Sequence, residues 1–130
     1  MKIIPMSIVI PTYNRTKVLF DTIESLNAGE YVPDEVIVVD QSNPPVEFPE
    51  KLKAQMGKRL VVIQENIPSL TRSRNIGLRA TSNDIVLFCD DDILVNGDSL
   101  KILYDTMNNN EVALAAGIHK EENLLYEGKK

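Results

Sequence analysis

The feature that most constrains the fold is a set of short, uninterrupted apolar runs that alternate with helical patterns. The clearest run covers residues 85–89, Ile-Val-Leu-Phe-Cys. Successive side chains of a strand point to opposite faces, so an unbroken apolar run predicts a strand buried on both faces of a parallel sheet. Similar runs predict strands at 6–10, 36–39, 60–63 and 112–118, the first of them stopped by Pro11.

Helical patterns separate these runs. Leu19, Ile23 and Leu26 recur at intervals of four and three, which predicts a helix over 16–27. Further helices are predicted at 51–56, at 69–80 and after the turn at 97–98, with Leu100, Leu103 and Met107 as the buried stripe of the last one. Strands that alternate with helices predict an α/β fold, with a doubly wound, mostly parallel sheet between two helical layers.

The bulk properties limit the function classes. A length of 130 residues predicts a single domain over 1–130. The net charge of −5 argues against a nucleic-acid partner, because phosphate binding needs a basic face. Neither a signal-peptide pattern nor an apolar stretch of the roughly 20 residues that span a bilayer is found, which favours a cytoplasmic protein, with attachment to the inner membrane face left open. The single cysteine, Cys89, is expected to be a small buried hydrophobe.

Three consecutive carboxylates, Asp90, Asp91 and Asp92, follow the run at 85–89. They are expected at the carboxyl end of a strand, where open α/β sheets bind ligands. Adjacent negative charges repel one another, so the cluster predicts a neutralising cation, and a divalent metal that carries a phosphate ligand is the natural candidate. The alternative is a solvated acidic turn before the next helix.

Two other polar segments follow predicted strands. The loop 11–15 leads into the first helix, where backbone N–H groups could bind a phosphate or a base edge. The same loop could equally be a proline stop followed by an Asn or Thr cap. Asp40, at the end of the second strand, could bind a base N–H or ribose hydroxyls, or it could cap the loop through Ser42 and Asn43.

The helix predicted at 69–80 adds a basic residue. Ser69 is the expected N-cap. Arg74 could pair with a phosphate, or with Asp40 and the acidic cluster as a structural ion bridge. Gly77 costs about 1 kcal/mol relative to alanine inside a helix, so its presence predicts close packing or the close approach of a ligand.

Taken together, these segments resemble the amino-terminal half of a family 2 glycosyltransferase, which has the GT-A fold. The resemblance lies in the combination and order of the motifs and covers nearly the whole chain. The matching segments are Ser-Ile-Val-Ile-Pro-Thr-Tyr-Asn-Arg at 7–15, the strand ending in Asp40, Ser-Arg-Asn-Ile-Gly at 73–77 and Phe-Cys-Asp-Asp-Asp at 88–92.

The resemblance implies a role for each matching residue. The residues implied to contact the nucleotide are Pro11, Thr12, Tyr13, Arg15, Asp40, Arg74, Asp90 and Asp91. Within this set, Asp40 would recognise uracil or another base, and Arg74 would lie near the base and phosphates. Asp92, together with Asp90, would coordinate Mn²⁺ or Mg²⁺ bridging the diphosphate. The role of Asp91 is open, because one sequence does not set the register of three identical residues.

The implied reaction is transfer of a sugar, with inversion, from a nucleotide sugar to an acceptor hydroxyl. A UDP-sugar is the favoured donor, and a saccharide or lipid-linked saccharide is a plausible acceptor. Inverting members take a carboxylate general base from the later, acceptor-binding half, and this sequence stops before that half. The chain is therefore expected to hold donor and metal but to be inactive by itself.

Two alternatives remain at this stage. The chain could be an inactive nucleotide-sugar-binding or interaction module, and an uncovered sheet edge would then favour self-association. It could also be a receiver-like signalling domain, which shares the length and an acidic Mg²⁺ pocket. A receiver, however, needs acids after strands one and three and a late lysine on strand five, whereas here strand one is followed by Pro-Thr-Tyr-Asn, strand three ends in Ile63-Gln64 and the predicted strand at 112–118 contains no lysine.

Overall fold

A computed structural model of the chain describes residues 1–109. Four strands alternate with four α-helices, and a 3₁₀ turn at Gly57–Arg59 precedes the third strand. The strands are β1 (Lys2–Thr12), β2 (Tyr31–Asp40), β3 (Leu60–Gln64) and β4 (Ile85–Phe88). The helices are α1 (Thr16–Leu26), α2 (Glu50–Met56), α3 (Leu70–Ala80) and α4 (Ser99–Met107). The strand predicted at 112–118 lies outside the described residues.

The strands form one parallel sheet in the order β3-β2-β1-β4. The chain builds outward from β1 to β3 and then crosses back to place β4 on the other side of β1. Strand order therefore reverses between β1 and β4, and open α/β sheets bind ligands at such a reversal. This order differs from the 2-1-3-4-5 order of receiver domains, so the receiver-like alternative is wrong.

Two helical layers cover the sheet, as predicted for an α/β fold. On one face, the buried cluster joins side chains of β1 and β2 to side chains of α1, α2 and α4; it includes Ile8, Ile10, Val36, Val38, Leu19, Ile23, Leu26, Leu52, Met56 and Leu100. On the other face, Gly77 of α3 packs against Val9 and Val39. Because β1 and β2 carry apolar side chains on both faces, they form the centre of the molecule.

The close approach of α3 to the sheet accounts for Gly77. A Cβ at this position would lie 2.3 Å from Cγ1 of Val9 and 3.3 Å from Cγ2 of Val39. Both distances are shorter than ordinary side-chain contacts, so only glycine allows the helix to lie this near the strands. The close packing predicted from the sequence is confirmed.

Pro11 does not end the first strand, contrary to the expectation from the sequence. It lies inside β1 and is paired with Val39 of β2. The ladder between β1 and β4 ends two residues earlier, at Val9 and Phe88. Proline lacks a backbone N–H, which is tolerated here because no β4 residue is left to accept from that position.

The expectation that the fourth strand is buried on both faces is also wrong for the described part of the chain. Ile85, Val86 and Leu87 are partly buried, and 45% of Phe88 is exposed. Among the described residues β4 pairs along one edge only, with β1. Continuous apolar character predicted the strand, but it did not predict that β4 pairs only with β1 within residues 1–109.

Replacing Gly77 with alanine is expected to destabilise the fold. The added methyl group collides with Val9, and overpacking of this kind costs about 1–3 kcal/mol, which outweighs the better helix propensity of alanine. Gly97→Ala is the matched control, since a Cβ there meets its nearest neighbour at an ordinary 3.7 Å. Urea denaturation of both variants measures the difference, and equal stability of the two would contradict the packing argument.

Candidate functional site

A cleft of about 650 Å³ opens at the carboxyl ends of the central strands, beside the reversal between β1 and β4. Its walls come from the loops that follow β1, β2, β3 and β4. The lining residues are Pro11, Thr12, Tyr13, Arg15, Gln41, Pro68, Ser69, Leu70, Asp90, Asp91 and Asp92. All of the site residues predicted from the sequence line this cleft except Asp40 and Arg74.

Asp91 is the buried member of the acidic cluster, with 3% of its surface exposed. One carboxylate oxygen, Oδ2, accepts a hydrogen bond of 2.9 Å from the Thr12 hydroxyl. The other, Oδ1, accepts from Nη2 of Arg15, which also forms an ion pair with it. A buried carboxylate is costly unless it is paired and hydrogen-bonded, and here both oxygens are engaged. Asp91 thereby ties the end of β4 to the loop after β1.

Asp90 and Asp92 have a different environment, because both are exposed at the cleft. The side chain of Asp92 is 45% exposed, and its Oδ2 lies 3.4 Å from Nη1 of Arg15, at the long limit of a hydrogen bond. The two outer carboxylates can therefore accept a ligand, while the middle one is committed within the protein. Burial distinguishes Asp91 from Asp90 and Asp92, a difference that the sequence alone did not reveal.

Arg15 is the cation of this site. The hydrogen bond to Asp91 and the negative charge of Asp91 raise the pKa of Arg15; desolvation opposes them, and Asp92 adds a smaller increase. The guanidinium is therefore charged at every pH at which the protein is folded. It partly neutralises the acidic cluster before any ligand binds.

The side chains available as ligands determine which metal ions this site could bind. Within residues 1–109, no group of three or more His, Cys, Asp or Glu side chains is arranged to hold a metal ion. Two open carboxylates, from Asp90 and Asp92, do not form a closed cage for a resident ion. They fit Mg²⁺ or Mn²⁺ that keeps water and takes substrate phosphate oxygens as its remaining ligands.

Asp40 is completely buried behind the cleft wall and organises the loop after β2. Its Oδ1 accepts from the backbone N–H of Ser42 at 2.9 Å. Its Oδ2 accepts from the N–H of Val46 at 2.8 Å and from Nε2 of Gln64 at 3.2 Å. The loop contact considered from the sequence is therefore present through Ser42, with Val46 in place of Asn43. Recognition of a base by Asp40 stays a prediction.

Arg74 lies on α3 outside the cleft lining. Its Nε is buried and has no hydrogen-bond partner among residues 1–109. Within that part of the chain it also forms no ion pair with Asp40 or the acidic cluster, so the structural ion bridge is not found there. The N-cap of the same helix is as predicted, since Oγ of Ser69 accepts from the N–H of Arg72 at 3.3 Å.

Gln41 is a lining residue to which sequence reasoning assigned no role. Its Nε2 donates to the carbonyl of Thr12 at 3.3 Å, and its Oε1 accepts from the backbone N–H of Ser69 at 2.6 Å. One buried amide thus joins the ends of β1 and β2 to the start of α3. The only signal in the sequence was its position directly after Asp40 at the end of a strand.

A second polar contact that the sequence did not reveal joins the loops after β1 and β2. Asn14 adopts φ 54°, in the left-handed region that asparagine tolerates better than most residues. Its N–H donates to Oγ of Ser42 at 2.8 Å, and its Oδ1 accepts from the N–H of Asn43 at 3.0 Å. These bonds hold the Tyr13 to Arg15 segment in place beside the acids.

Cys89 lies under the acidic cluster with 4% of its surface exposed. Burial, and after it the negative charges of Asp90, Asp91 and Asp92, together raise the pKa of its thiol to about 12. The thiol therefore stays protonated at neutral pH and is not a nucleophile. The expectation of a small buried hydrophobe is confirmed.

Comparison with known proteins identifies the family. The sequence model described as glycosyl transferase family 2 matches residues 7–126. The chain belongs to this family. The uncharacterized glycosyltransferase YwdF of Bacillus subtilis is 31% identical over 87 residues, which cover 67% of this chain and 32% of YwdF.

The fold agrees with that of solved family members. The crystal structure of Staphylococcus aureus TarS superposes with a TM-score of 0.64 at 26% identity, over 85% of this chain and 20% of TarS. A TarS fragment, 1–349, in complex with UDP-GlcNAc superposes with a TM-score of 0.61 at 24% identity, over 85% of this chain and 32% of the fragment. The GT-A fold expected from the resemblance is confirmed.

The chain spans about a third of YwdF and about a fifth of the TarS crystal structure. In the described part of the chain, none of the helices has both the length and the apolar character needed to cross a membrane.

Asp91→Asn is expected to lower the free energy of unfolding by about 1–3 kcal/mol, because Thr12 and Arg15 lose a charged acceptor in a buried position. Asp90→Asn makes the same chemical change at an exposed position and is expected to stay within about 0.5 kcal/mol of the wild type. Urea denaturation of the metal-free proteins measures both. If Asp91→Asn is as stable as Asp90→Asn, the buried carboxylate is not an anchor.

Proposed function

We propose that this chain is the donor-binding part of an inverting glycosyltransferase that takes its sugar from a UDP-sugar. The observation that carries the proposal is the division of the acidic cluster at the switch point of a family 2 fold. Asp91 is committed to Thr12 and Arg15, whereas Asp90 and Asp92 face the cleft. The site thus offers two solvent-exposed carboxylates beside a positive side chain, which suits a metal-bound diphosphate.

The choice of a UDP-sugar is supported by the similarity to TarS, whose fragment binds UDP-GlcNAc. In the cleft, Tyr13 is half exposed and provides an aromatic surface on which a base can stack. Pro11 and Thr12 form the floor beneath it as part of β1. We propose a saccharide or a lipid-linked saccharide as the acceptor.

Asp90 and Asp92 would hold Mn²⁺ or Mg²⁺, with Asp90 also near the ribose. The ion would act as a Lewis acid that offsets the negative charge on the departing diphosphate. The role proposed for Arg74 is to lie near the base and the phosphates; its Nε has no hydrogen-bond partner among residues 1–109, which supports a charged ligand there. Asp40 is proposed to recognise the base from the loop that it organises.

The acceptor hydroxyl must lose its proton as it attacks the anomeric carbon, which requires a general base. Among residues 1–109, the acids that line the cleft are Asp90, Asp91 and Asp92, and all three are proposed to act on the donor side. We therefore propose that the base comes from outside this chain, and that the chain binds the donor without turning it over.

UDP is expected to bind measurably only when Mn²⁺ is present, because Asp90 and Asp92 repel the diphosphate until a cation lies between them. Asp92→Asn is expected to weaken binding of UDP with Mn²⁺ roughly tenfold or more, the loss typical of a charged interaction. Isothermal titration calorimetry with UDP, with and without Mn²⁺, measures both effects.

Asp98→Asn is the matched control, since Asp98 is exposed at the start of α4 and does not line the cleft. It should bind UDP and Mn²⁺ as the wild type does. Metal-independent binding of UDP by the wild-type chain, or an affinity of Asp92→Asn for UDP with Mn²⁺ equal to that of the wild type, would refute the metal site.

A further inference from the structure

The guanidinium of Arg15 holds two acids with unequal strength. Nη2 donates to Asp91, which is buried and receives a second hydrogen bond from Thr12. Nη1 lies 3.4 Å from Asp92, whose side chain is 45% exposed to solvent. The first contact is supported by burial and a neighbouring hydroxyl, and the second is a long ion pair in water. Exposed pairs of that kind contribute about 0–1 kcal/mol, so the second contact is easily exchanged.

We propose that Arg15 is a built-in counter-ion that occupies Asp92 in the metal-free protein and gives it up when metal and diphosphate bind together. Nη2 stays on Asp91 throughout, and Nη1 transfers from Asp92 to a negatively charged ligand oxygen. This inference rests on the proposed donor site, because it takes the competing ion to be the divalent cation of that site. Arg15 would thus serve as a counter-ion of the acidic cluster, in addition to the nucleotide contact that the family resemblance implies.

The exchange follows from charge balance. In the metal-free state the three carboxylates of the cluster face one guanidinium, and Arg15 is the only Arg or Lys that forms an ion pair with any of them among residues 1–109. A divalent cation that binds without nucleotide must displace the guanidinium of Arg15 from Asp92 and then remain close to that positive charge. When a diphosphate arrives with the cation, it brings enough negative charge for both the ion and Arg15.

The bond between Arg15 and Asp91 keeps the guanidinium in the site while Nη1 changes its partner. Asp91 is buried, and the loop that carries Arg15 is held by the bonds between Asn14 and the segment at Ser42 and Asn43. Arg15 is therefore kept within reach of the site when Nη1 releases Asp92. The predicted consequence is positive coupling, in which metal alone binds weakly and each ligand strengthens the binding of the other by the same factor.

The test measures Mn²⁺ binding without nucleotide, from the loss of the free-Mn²⁺ signal in electron paramagnetic resonance. Arg15→Gln removes the competing charge, so its affinity for Mn²⁺ alone is expected to rise roughly three- to tenfold over the wild type. Arg15→Lys keeps the charge and is expected to stay within about twofold. Lys17→Gln is the matched control, since Lys17 is a nearby cation that pairs with Asp21 outside the cleft, and it should bind as the wild type does.

The Mn²⁺ titrations of the same variants are then repeated at saturating UDP. The factor by which UDP strengthens Mn²⁺ binding should fall in Arg15→Gln, and thermal melts confirm that each variant is folded. An affinity of Arg15→Gln for Mn²⁺ no higher than that of the wild type would overturn the inference, as would an equal rise in Lys17→Gln.

The outcome separates the inference from the proposed function. Suppose that the wild-type chain binds UDP with Mn²⁺ and that Arg15→Gln does not change the affinity for Mn²⁺. The proposed donor site would then be supported, and the counter-ion role of Arg15 would be refuted. Tighter Mn²⁺ binding by Arg15→Gln in a chain that does not bind UDP would support the counter-ion role and refute the UDP-sugar donor. Absence of Mn²⁺ binding in both proteins would refute both.

Discussion

The arrangement of this molecule depends on the parallel pairing of β1 with β2 on one side and with β4 on the other. Parallel strands end at the same edge of a sheet, so this pairing brings the loops after residues 12, 40 and 88 together. Strand order reverses beside β1, which leaves a gap between the loops after β1 and β4. The cleft occupies that gap. The apolar side chains on both faces of β1 and β2 secure the pairing.

Polar bonds between the loops then give the cleft its shape. Gln41 joins the ends of β1 and β2 to the start of α3, and Asn14 joins the loops after β1 and β2. Asp91 joins the end of β4 to Thr12 and Arg15. Each bond links residues far apart in the chain, so the walls of the site depend on the whole sheet. Three identical acids lie in different environments here, because Asp91 is buried and Asp90 and Asp92 are exposed.

Much of the architecture could be predicted from local patterns. Apolar runs indicated the four described strands, helical spacing indicated the helices, and the cost of glycine in a helix indicated the close packing of Gly77. The interior position of Pro11 could not be predicted, because it depends on where the ladder with β4 ends. Likewise, the marginal position of β4 depends on which strands pair, and an apolar run carries no information about its neighbours.

The loops that form the site could be predicted from the sequence, but the contacts between their side chains could not. Motif resemblance singled out the residues after β1 and β4, and these do meet at the cleft. The register of the acids and the role of Gln41 required burial and hydrogen-bond geometry, which a single sequence does not contain. The account's central claim is that a metal-bound nucleoside diphosphate binds at this carboxyl edge. Backbone amide chemical shifts in ¹⁵N-labelled protein, recorded before and after addition of UDP with Mg²⁺, test it most directly. Shifts are expected at residues 12–15, 40–41, 69–74 and 90–92, with little change at Glu35, Ser82 and Asn83 on the opposite edge. Shifts centred on that opposite edge, or none at saturating ligand, would contradict binding at this edge.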